Sequence, residues 1–361
     1  MPFINEIIEI EYPICAESIL NSPIIKYLTI KTKSLNKGSK SRSSFGNLYA
    51  IYVLVEDYLN YINYSKLDYS KYDGMKFTDA FYRQRQLPFG GKLQNHALNH
   101  RCNQEFLKYF PNYPYGVPII RDKQSKRYWI NEKLLLVECN DSEINIAGLV
   151  LKIINRYIEL KRQGFELFFH ELQELNSKQN HEKIFDFIRK QLNPEVDARI
   201  FEIISFAIIK YHYFDEMLFI GNKSDSIKQT RLKLFRTGRT NSNDGGIDFI
   251  LIPLGRIFQV TEVLDFKKYF LDIDKVNKYP VSFVIKTTLN PDEVKNKIEN
   301  AAKHLYKEEK VRNKYLSSFD EIITIPILED YLINEVENNY SQCLVDEIIL
   351  QCKVEFNIET I

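Results

Sequence analysis

The sequence predicts an α/β fold of the α+β type, with a mainly helical N-terminal region followed by a mixed sheet that helices flank. Apolar residues recur at helical spacing through much of the first half. After the turn Leu192-Asn193-Pro194 the pattern becomes helix, three strands, helix, strand, which is a compact α/β unit. The middle strands are short and apolar, as buried strands are. We therefore predict two domains, residues 1–192 and residues 193–361.

The N-terminal domain is predicted to contain a loop that is followed by a helix. Residues 31–44 are rich in Ser, Gly, Lys and Arg without apolar periodicity, which indicates a loop. Residues 45–61 then have the spacing of a helix, and residues 92–109 predict a second, more polar helix. Strand-like residues follow at 126–137, around a turn at Asn131-Glu132. Two further helices are predicted at 145–175 and 181–191.

The C-terminal domain is predicted to start with a helix at 194–213 that is apolar on most faces and so packs against a sheet. Asn290-Pro291-Asp292 is a typical helix start and predicts a helix at 292–310. A last helix is predicted at 328–338. The predicted strands are residues 233–236, 246–252, 257–263, 281–287 and 321–328.

Composition excludes several classes of protein. With 44% hydrophobic and 27% charged residues, the 361-residue chain is globular, not disordered. A net charge of +1 argues against binding nucleic acid through bulk charge, although local basic patches remain compatible with it. The apolar runs are too short to span a membrane. The five cysteines are scattered without a C-x-x-C pair, which is typical of reduced thiols in a cytoplasmic protein.

One segment carries the residues of a candidate metal site. The turn at residues 244–246, Asp-Gly-Gly, leads into a strand that starts near Asp248. The turn at residues 254–256 leads into the next strand, where Gln259 lies on one face and Glu262 on the other. Carboxylate and amide oxygens at one end of such a strand pair suit Mg²⁺, which takes one or two carboxylates and keeps several waters.

This segment resembles the core of the PD-(D/E)XK nuclease superfamily, which includes type II restriction endonucleases. In that pattern an acidic residue opens one strand, and the motif (D/E/Q)-x-K lies on the next strand. Asp248 matches the acidic residue. Gln259-Val260-Thr261 matches the second motif, with Thr261 at the position of the lysine. Lys286, Lys267 or Lys268 can replace that lysine in space. Glu202 on the preceding helix matches the helix glutamate of some members.

The resemblance covers roughly residues 194–361 and implies a restriction-endonuclease-like core. It implies Mg²⁺-dependent hydrolysis of double-stranded DNA at a short specific sequence by a homodimer. The implied metal ligands are Asp248, Glu262 and Gln259. The implied catalytic residues are these three together with Glu202 and Lys286. Thr261 in the lysine position leaves open a DNA-binding protein with an inactive core, and a structure-specific repair nuclease is a third possibility. Asp248 as a turn cap and Glu202 as an ion-pair partner are the structural alternatives.

A nuclease of this kind must hold phosphates and read base edges. Arg, Asn and Gln side chains make paired hydrogen bonds to purine edges, and Lys and Arg neutralise phosphates. Side chains of these types are equally compatible with an ordinary solvent-exposed surface. The first domain is expected to carry DNA recognition and dimerisation. The candidate DNA-binding residues are Arg83, Arg85, Asn95, Asn99, Arg101, Arg231, Lys233, Arg236 and Arg239.

Overall fold

The computed structural model describes residues 2–33, 41–65, 69–91, 93–178, 180–221, 223, 226–237, 247–262 and 264–356. Its fold is mixed α/β, as predicted, with one mixed sheet and several small ones. Contacts divide the chain into two compact units, Met1–Glu166 and Leu167–Ile361. The division lies within one long helix, whereas the sequence placed it in the turn at residues 192–194. The helix at 181–190 packs on later helices and so belongs to the second unit.

The first unit is mainly helical around one apolar core. The predicted helices at 45–61 and 145–175 are confirmed as parts of the long helices α4 and α7. Buried residues of α4, among them Tyr49, Leu54 and Tyr58, contribute to the centre of the core. The helices are α1 (Pro2–Glu11), α2 (Ala16–Asn21), α3 (Pro23–Thr32), α4 (Ser41–Ser65), α5 (Phe77–Gln86), α6 (Cys102–Tyr109) and α7 (Ala147–Lys178).

Short strands complete this unit. The first three form a small antiparallel sheet with β3 in the centre, and the next two form a hairpin. The strand-like pattern at residues 126–137 is thus confirmed, because β3 and β4 flank a short 3₁₀ turn at Glu132–Leu134. The strands are β1 (Met75–Lys76), β2 (Ile119–Asp122), β3 (Arg127–Ile130), β4 (Leu136–Cys139) and β5 (Ser142–Asn145).

Two predictions for the first unit are wrong at their ends. The predicted loop at 31–44 is helical on both sides, since α3 continues to Thr32 and α4 starts at Ser41; residues 34–40 lie outside the described residues. Lys31 is buried in an ion pair with Glu105, which explains why a lysine continues the helix. The predicted helix at 92–109 starts only near His96, with a π-helical turn at Ala97–Arg101 before α6.

The cysteine prediction is also corrected. Cys15 and Cys139 form a disulfide within the first unit, with Cα atoms 5.7 Å apart, whereas Cys102, Cys343 and Cys352 are free. The two partners are 124 residues apart in sequence, and the hairpin that brings Cys139 next to the start of α2 is not visible in cysteine spacing. None of the described helices is long and apolar enough to cross a membrane.

The second unit is built on a five-stranded mixed sheet. Its strand order is β12-β11-β10-β9-β8, with β8, β9 and β10 antiparallel and β10, β11 and β12 parallel. A separate two-stranded ribbon, β6 with β7, precedes the sheet. The strands are β6 (Met217–Ile220), β7 (Lys228–Arg231), β8 (Lys233–Arg236), β9 (Phe249–Ile252), β10 (Arg256–Thr261), β11 (Val281–Ile285) and β12 (Phe319–Thr324).

Helices cover both faces of this sheet. Phe283 and Ile285 face a core formed by α10, α11 and α12, while Phe249 meets Phe206 of α9 on the other face, with ring centroids 5.2 Å apart. The predicted helix at 292–310 is two helices, and the predicted strand at 321–328 ends at Thr324 because α13 begins there. The helices are α8 (His181–Lys190), α9 (Ala198–His212), α10 (Phe266–Lys275), α11 (Pro291–Leu305), α12 (Glu309–Leu316), α13 (Ile325–Glu337) and α14 (Ser341–Phe356).

Alkaline pH is expected to destabilise the second unit. Burial raises the pKa of Tyr213 and of Tyr211 to about 12, from an ordinary value of 10.0. The folded state therefore keeps these protons between about pH 10 and pH 12, where the unfolded chain loses them, and each raised unit corresponds to about 1.4 kcal/mol. The stabilisation is fully present below pH 10 and is lost as the pH approaches 12.

Denaturant titrations at about pH 8 and about pH 11 measure this effect. We expect a lower free energy of unfolding at the higher pH, with part of the tyrosinate absorbance appearing only when the protein unfolds. Equal midpoints at both pH values, or ionisation of all tyrosines in the folded protein at about pH 10, would contradict the assignment.

Candidate active site

The predicted site residues gather mainly at one edge of the five-stranded sheet. Strands β8, β10 and β11 run in the same direction and β9 runs against them, so the ends of the first three lie beside the start of β9. Arg236 ends β8, Asp248 precedes β9, Glu262 follows β10 and Lys286 follows β11. The carboxyl ends of parallel strands are a common place for ligand sites in α/β proteins.

The main chain of β10 and the end of β8 fix the position of Asp248. Its backbone N–H donates to the Phe258 carbonyl at 2.9 Å, although Phe258 pairs in register with Phe249. Phe258 is therefore opposite both Asp248 and Phe249, an arrangement that resembles a β-bulge. Because of it, the side chain of Asp248 need not point to the same face as the side chain of Ile250. A hydrogen bond sets it instead, because the Val260 N–H donates to Asp248 Oδ2 at 2.7 Å. The carboxylate is thus held against the strand that leads to Glu262.

Glu262 and Lys286 form an ion pair at this edge. Their Oε1 and Nζ atoms are 3.3 Å apart, and the Lys286 side chain is only 2% exposed. Lys286 Nζ also donates to the backbone carbonyl of Val196 and lies 5.7 Å from the Phe201 ring centroid, so the pair is on the α9 side of the sheet. A buried ammonium needs such partners, since an isolated buried charge is very costly.

Gln259 lies on the opposite face from this pair. Together with Ile257 and Asp272 of α10, it lines a cavity of about 10 Å³. Its Nε2 donates to the Val260 carbonyl at 3.2 Å, and its buried Oε1 has no hydrogen-bond partner among the described residues. Thr261, at the position that the resemblance gives to lysine, is buried on the Gln259 side, as strand alternation requires.

Glu202 and Arg236 form a second ion pair, between α9 and β8. Arg236 Nη2 lies 2.6 Å from Glu202 Oε1 and 3.8 Å from Glu355 Oε2, and Nη1 donates to Gln351 Oε1 at 3.0 Å. The Arg236 side chain is 14% exposed. The resemblance implied a catalytic role for Glu202, and Arg236 was predicted to bind DNA. The structure joins them to each other and leaves the arginine mostly covered, so Arg236 is not an exposed cation that could contact DNA without opening this pair.

The other predicted DNA-binding residues differ in what they contact. Arg83 makes two hydrogen bonds to Glu56, and Arg101 pairs with Glu105. Arg85 donates to the Gly91 carbonyl at 2.9 Å, and Asn99 Oδ1 accepts from the Tyr128 hydroxyl at 3.2 Å.

Asn95, also in the first unit, is half-buried just before the π-helical turn, and its backbone carbonyl accepts from the Asn99 N–H. In the second unit Arg231 and Lys233 are exposed, and Arg231 lies 4.9 Å from the Phe214 ring centroid. Arg239 lies outside the described residues.

The predicted metal ligands fit Mg²⁺ only in part. Gln259 points away from Glu262, so the three predicted ligands do not form one cluster. Within the described parts of the chain, no three His, Cys, Asp or Glu residues are grouped so that they could hold a metal ion. Asp248 and Glu262, however, are two carboxylates at one sheet edge, and a protein commonly holds Mg²⁺ through one or two carboxylates plus substrate phosphate oxygens and water. The donor type and number therefore fit without Gln259.

Sequence reasoning missed three features of the site. These are the helix α10, which covers the Gln259 face; the Thr237 N–H, which donates to the Asp248 carbonyl at 3.0 Å; and the C-terminal helix α14, whose Gln351 and Glu355 surround Arg236. The helix α10 had a visible signal, because apolar residues recur at 266, 269, 270 and 273 after a possible N-cap at Asp265. The other two features depend on contacts between distant segments.

Comparisons with known proteins do not place the chain in a family. No family model, no curated protein and no solved structure matches it.

Proposed function

We infer that this chain is a Mg²⁺-dependent endonuclease that cuts double-stranded DNA at a short specific sequence, as type II restriction endonucleases do. The observation that carries the proposal is the sheet edge with Asp248, Glu262 and Lys286. Strand connectivity supports it: an antiparallel meander β8-β9-β10 is followed by α10 and by β11 parallel to β10. In the nuclease core that the sequence resembles, an acid opens one strand and the (D/E/Q)-x-K motif lies on the next. In this chain those two strands are β9 and β10.

The residues at this edge have distinct roles in the proposed reaction. Asp248 and Glu262 would hold the Mg²⁺. When bound, the ion lowers the charge on the scissile phosphate and the pKa of a water, which becomes the nucleophile. The hydrogen bond from the Val260 N–H to Asp248 fixes the orientation of one ligand in advance. Lys286 already lies beside Glu262, and its ammonium can donate hydrogen bonds to phosphate oxygens, where negative charge develops.

Contacts to DNA outside the reaction centre are assigned to exposed cations. Among the predicted DNA-binding residues that the structure describes in the second unit, Arg231 and Lys233 fulfil this condition, and Arg239 remains a prediction. The proposed partner is double-stranded DNA, and the resemblance implies that a homodimer cuts both strands. Arg83 and Arg101 contact carboxylates, so a role in DNA recognition requires them to exchange those partners.

A second candidate function is sequence-specific DNA binding without cleavage. It is favoured by one observation: both glutamates of the predicted site are paired with internal cations, Glu262 with Lys286 and Glu202 with Arg236. If these pairs persist in the presence of DNA, neither glutamate is available to a metal ion, and Asp248 would have to hold it without them. One carboxylate with Gln259 on the other face is a weaker metal site.

Incubation of the purified full-length protein with phage DNA, with Mg²⁺ or with EDTA, separates the candidates. Discrete fragments that require Mg²⁺ support the endonuclease. Tight, sequence-dependent binding without fragments supports the second candidate, and nicking of branched DNA without a defined site indicates a repair nuclease. Neither binding nor cleavage on any DNA would refute all three.

A further inference from the structure

A small cavity lies between β10 and α10, on the face of the sheet opposite the ion pair of Glu262 and Lys286. Its volume is about 10 Å³, and the residues that line it are apolar except for Gln259 and Asp272. Gln259 is 9% exposed and Asp272 is 4% exposed, so both polar side chains are buried in this apolar region. A buried polar group needs a hydrogen-bond partner, because leaving it without one is costly.

Each of these two side chains has one oxygen atom that the protein does not satisfy. Gln259 Oε1 and Asp272 Oδ2 are buried, and neither has a hydrogen-bond partner among the described residues. The other polar atoms are used: Gln259 Nε2 donates to the Val260 carbonyl at 3.2 Å, and Lys275 Nζ donates to Asp272 Oδ1 at 2.7 Å. Both remaining atoms are acceptors, so neither can satisfy the other. The site therefore needs a donor or a cation.

The size and the charge of the cavity select the occupant. A cavity of about 10 to 15 Å³ holds one water molecule, and buried waters commonly bridge polar groups in this way. Mg²⁺ does not fit, because it keeps several of its own waters. A bare monovalent cation is disfavoured by charge, since Lys275 already pairs with the Asp272 carboxylate and a second cation would be buried without a counterion. Water is neutral and has two O–H donors for the two acceptors.

We propose that Gln259 and Asp272 form the binding site of one internal water molecule, which donates one hydrogen bond to Gln259 Oε1 and one to Asp272 Oδ2. The water joins β10 to the buried face of α10. The site does not depend on the proposed nuclease function. It assigns Gln259 to the packing of α10 on the sheet instead of to the metal, while the backbone N–H of the next residue, Val260, holds Asp248.

The direct test is a high-resolution crystal structure of the full-length protein. Tetramethylammonium replaces sodium, potassium and magnesium as the added cation, because it is too large for the cavity. We expect one density peak about 2.5 to 3.0 Å from both Gln259 Oε1 and Asp272 Oδ2, as for O–H···O hydrogen bonds. The absence of a peak overturns the proposal, since the site is then empty or requires a small cation. A direct hydrogen bond between the two side chains also overturns it.

A double-mutant cycle tests the shared water in solution, by unfolding in denaturant. Gln259→Met and Asp272→Leu should each lower the folding equilibrium constant at least about fivefold, because each leaves the other oxygen without its bridge. The double variant removes both acceptors, so its loss should be at least about fivefold smaller than the product of the single losses.

Gln229→Met is the matched control for this cycle, because Gln229 is an exposed glutamine of β7. Its effect should be independent of Asp272→Leu. If Gln259→Met and Asp272→Leu are also independent of each other, no water is shared between them. The crystal structure decides the question even where a single variant does not fold.

Discussion

Replacing Asp248 with asparagine is expected to lower the rate of Mg²⁺-dependent DNA cleavage at least about a hundredfold, because a neutral amide is a much poorer ligand for a hard cation. The asparagine side chain keeps an oxygen that can accept the hydrogen bond from the Val260 N–H, which is 2.7 Å from Asp248 Oδ2. The start of β9 should therefore stay in place. DNA affinity without Mg²⁺ should equal that of the wild type.

Asp248→Ala separates the structural role of this residue from the proposed metal role. Alanine removes both the charge and the acceptor, so it should add a loss of stability of about 1 to 3 kcal/mol for the unpaired Val260 N–H. Asp292→Asn is the matched control, an acid-to-amide change at an exposed position of α11 that should leave cleavage unchanged. If Asp248→Asn cleaves at the wild-type rate, Asp248 caps the strand and holds no metal.

The sequence predicted the elements with strong periodicity best. The helix α7 and the strand β11 lie close to their predicted positions, because a long amphipathic pattern or a short apolar run between turns has few alternatives. The ribbon β6–β7 was missed although residues 217–220 are all apolar, since one four-residue run does not show its partner. The predicted helix at 92–109 shows a different kind of error. Its polar residues suggested an exposed surface, whereas Asn103 is buried and forms hydrogen bonds with the backbone of Ile119.

The candidate site was predicted as a set of residue types but not as a set of contacts. Strand alternation did place Gln259 and Glu262 on opposite faces, and the structure agrees. Alternation could not show that Lys286 would reach Glu262, because that depends on the parallel pairing of β10 with β11. It also could not show that Glu202 and Arg236, singled out for two different purposes, meet at 2.6 Å. Both pairings join segments that are distant in sequence.

Arg236 provides the second large expected effect, on the stability of the second unit. Replacing it with methionine keeps most of the side-chain volume but leaves Glu202 and Glu355 facing each other in a buried region without their cation. Breaking a buried pair in this way costs about 3 to 5 kcal/mol. The measurement is the free energy of unfolding in denaturant. The exposed neighbour Lys233, replaced with methionine, should stay within about 0.5 kcal/mol of the wild type.

The same two variants distinguish a structural arginine from a phosphate contact. If the chain binds DNA through exposed cations, Lys233→Met should reduce the slope of log affinity against log salt by about 1, because one fewer counterion is released. Arg236→Met should leave that slope unchanged, since its guanidinium is already held by Glu202 and Gln351. Adding Glu202→Gln should recover part of the lost stability, because the buried charge is removed with its partner. A stable Arg236→Met protein with a reduced salt slope would instead assign Arg236 to the DNA backbone, which requires the pair with Glu202 to open when DNA binds.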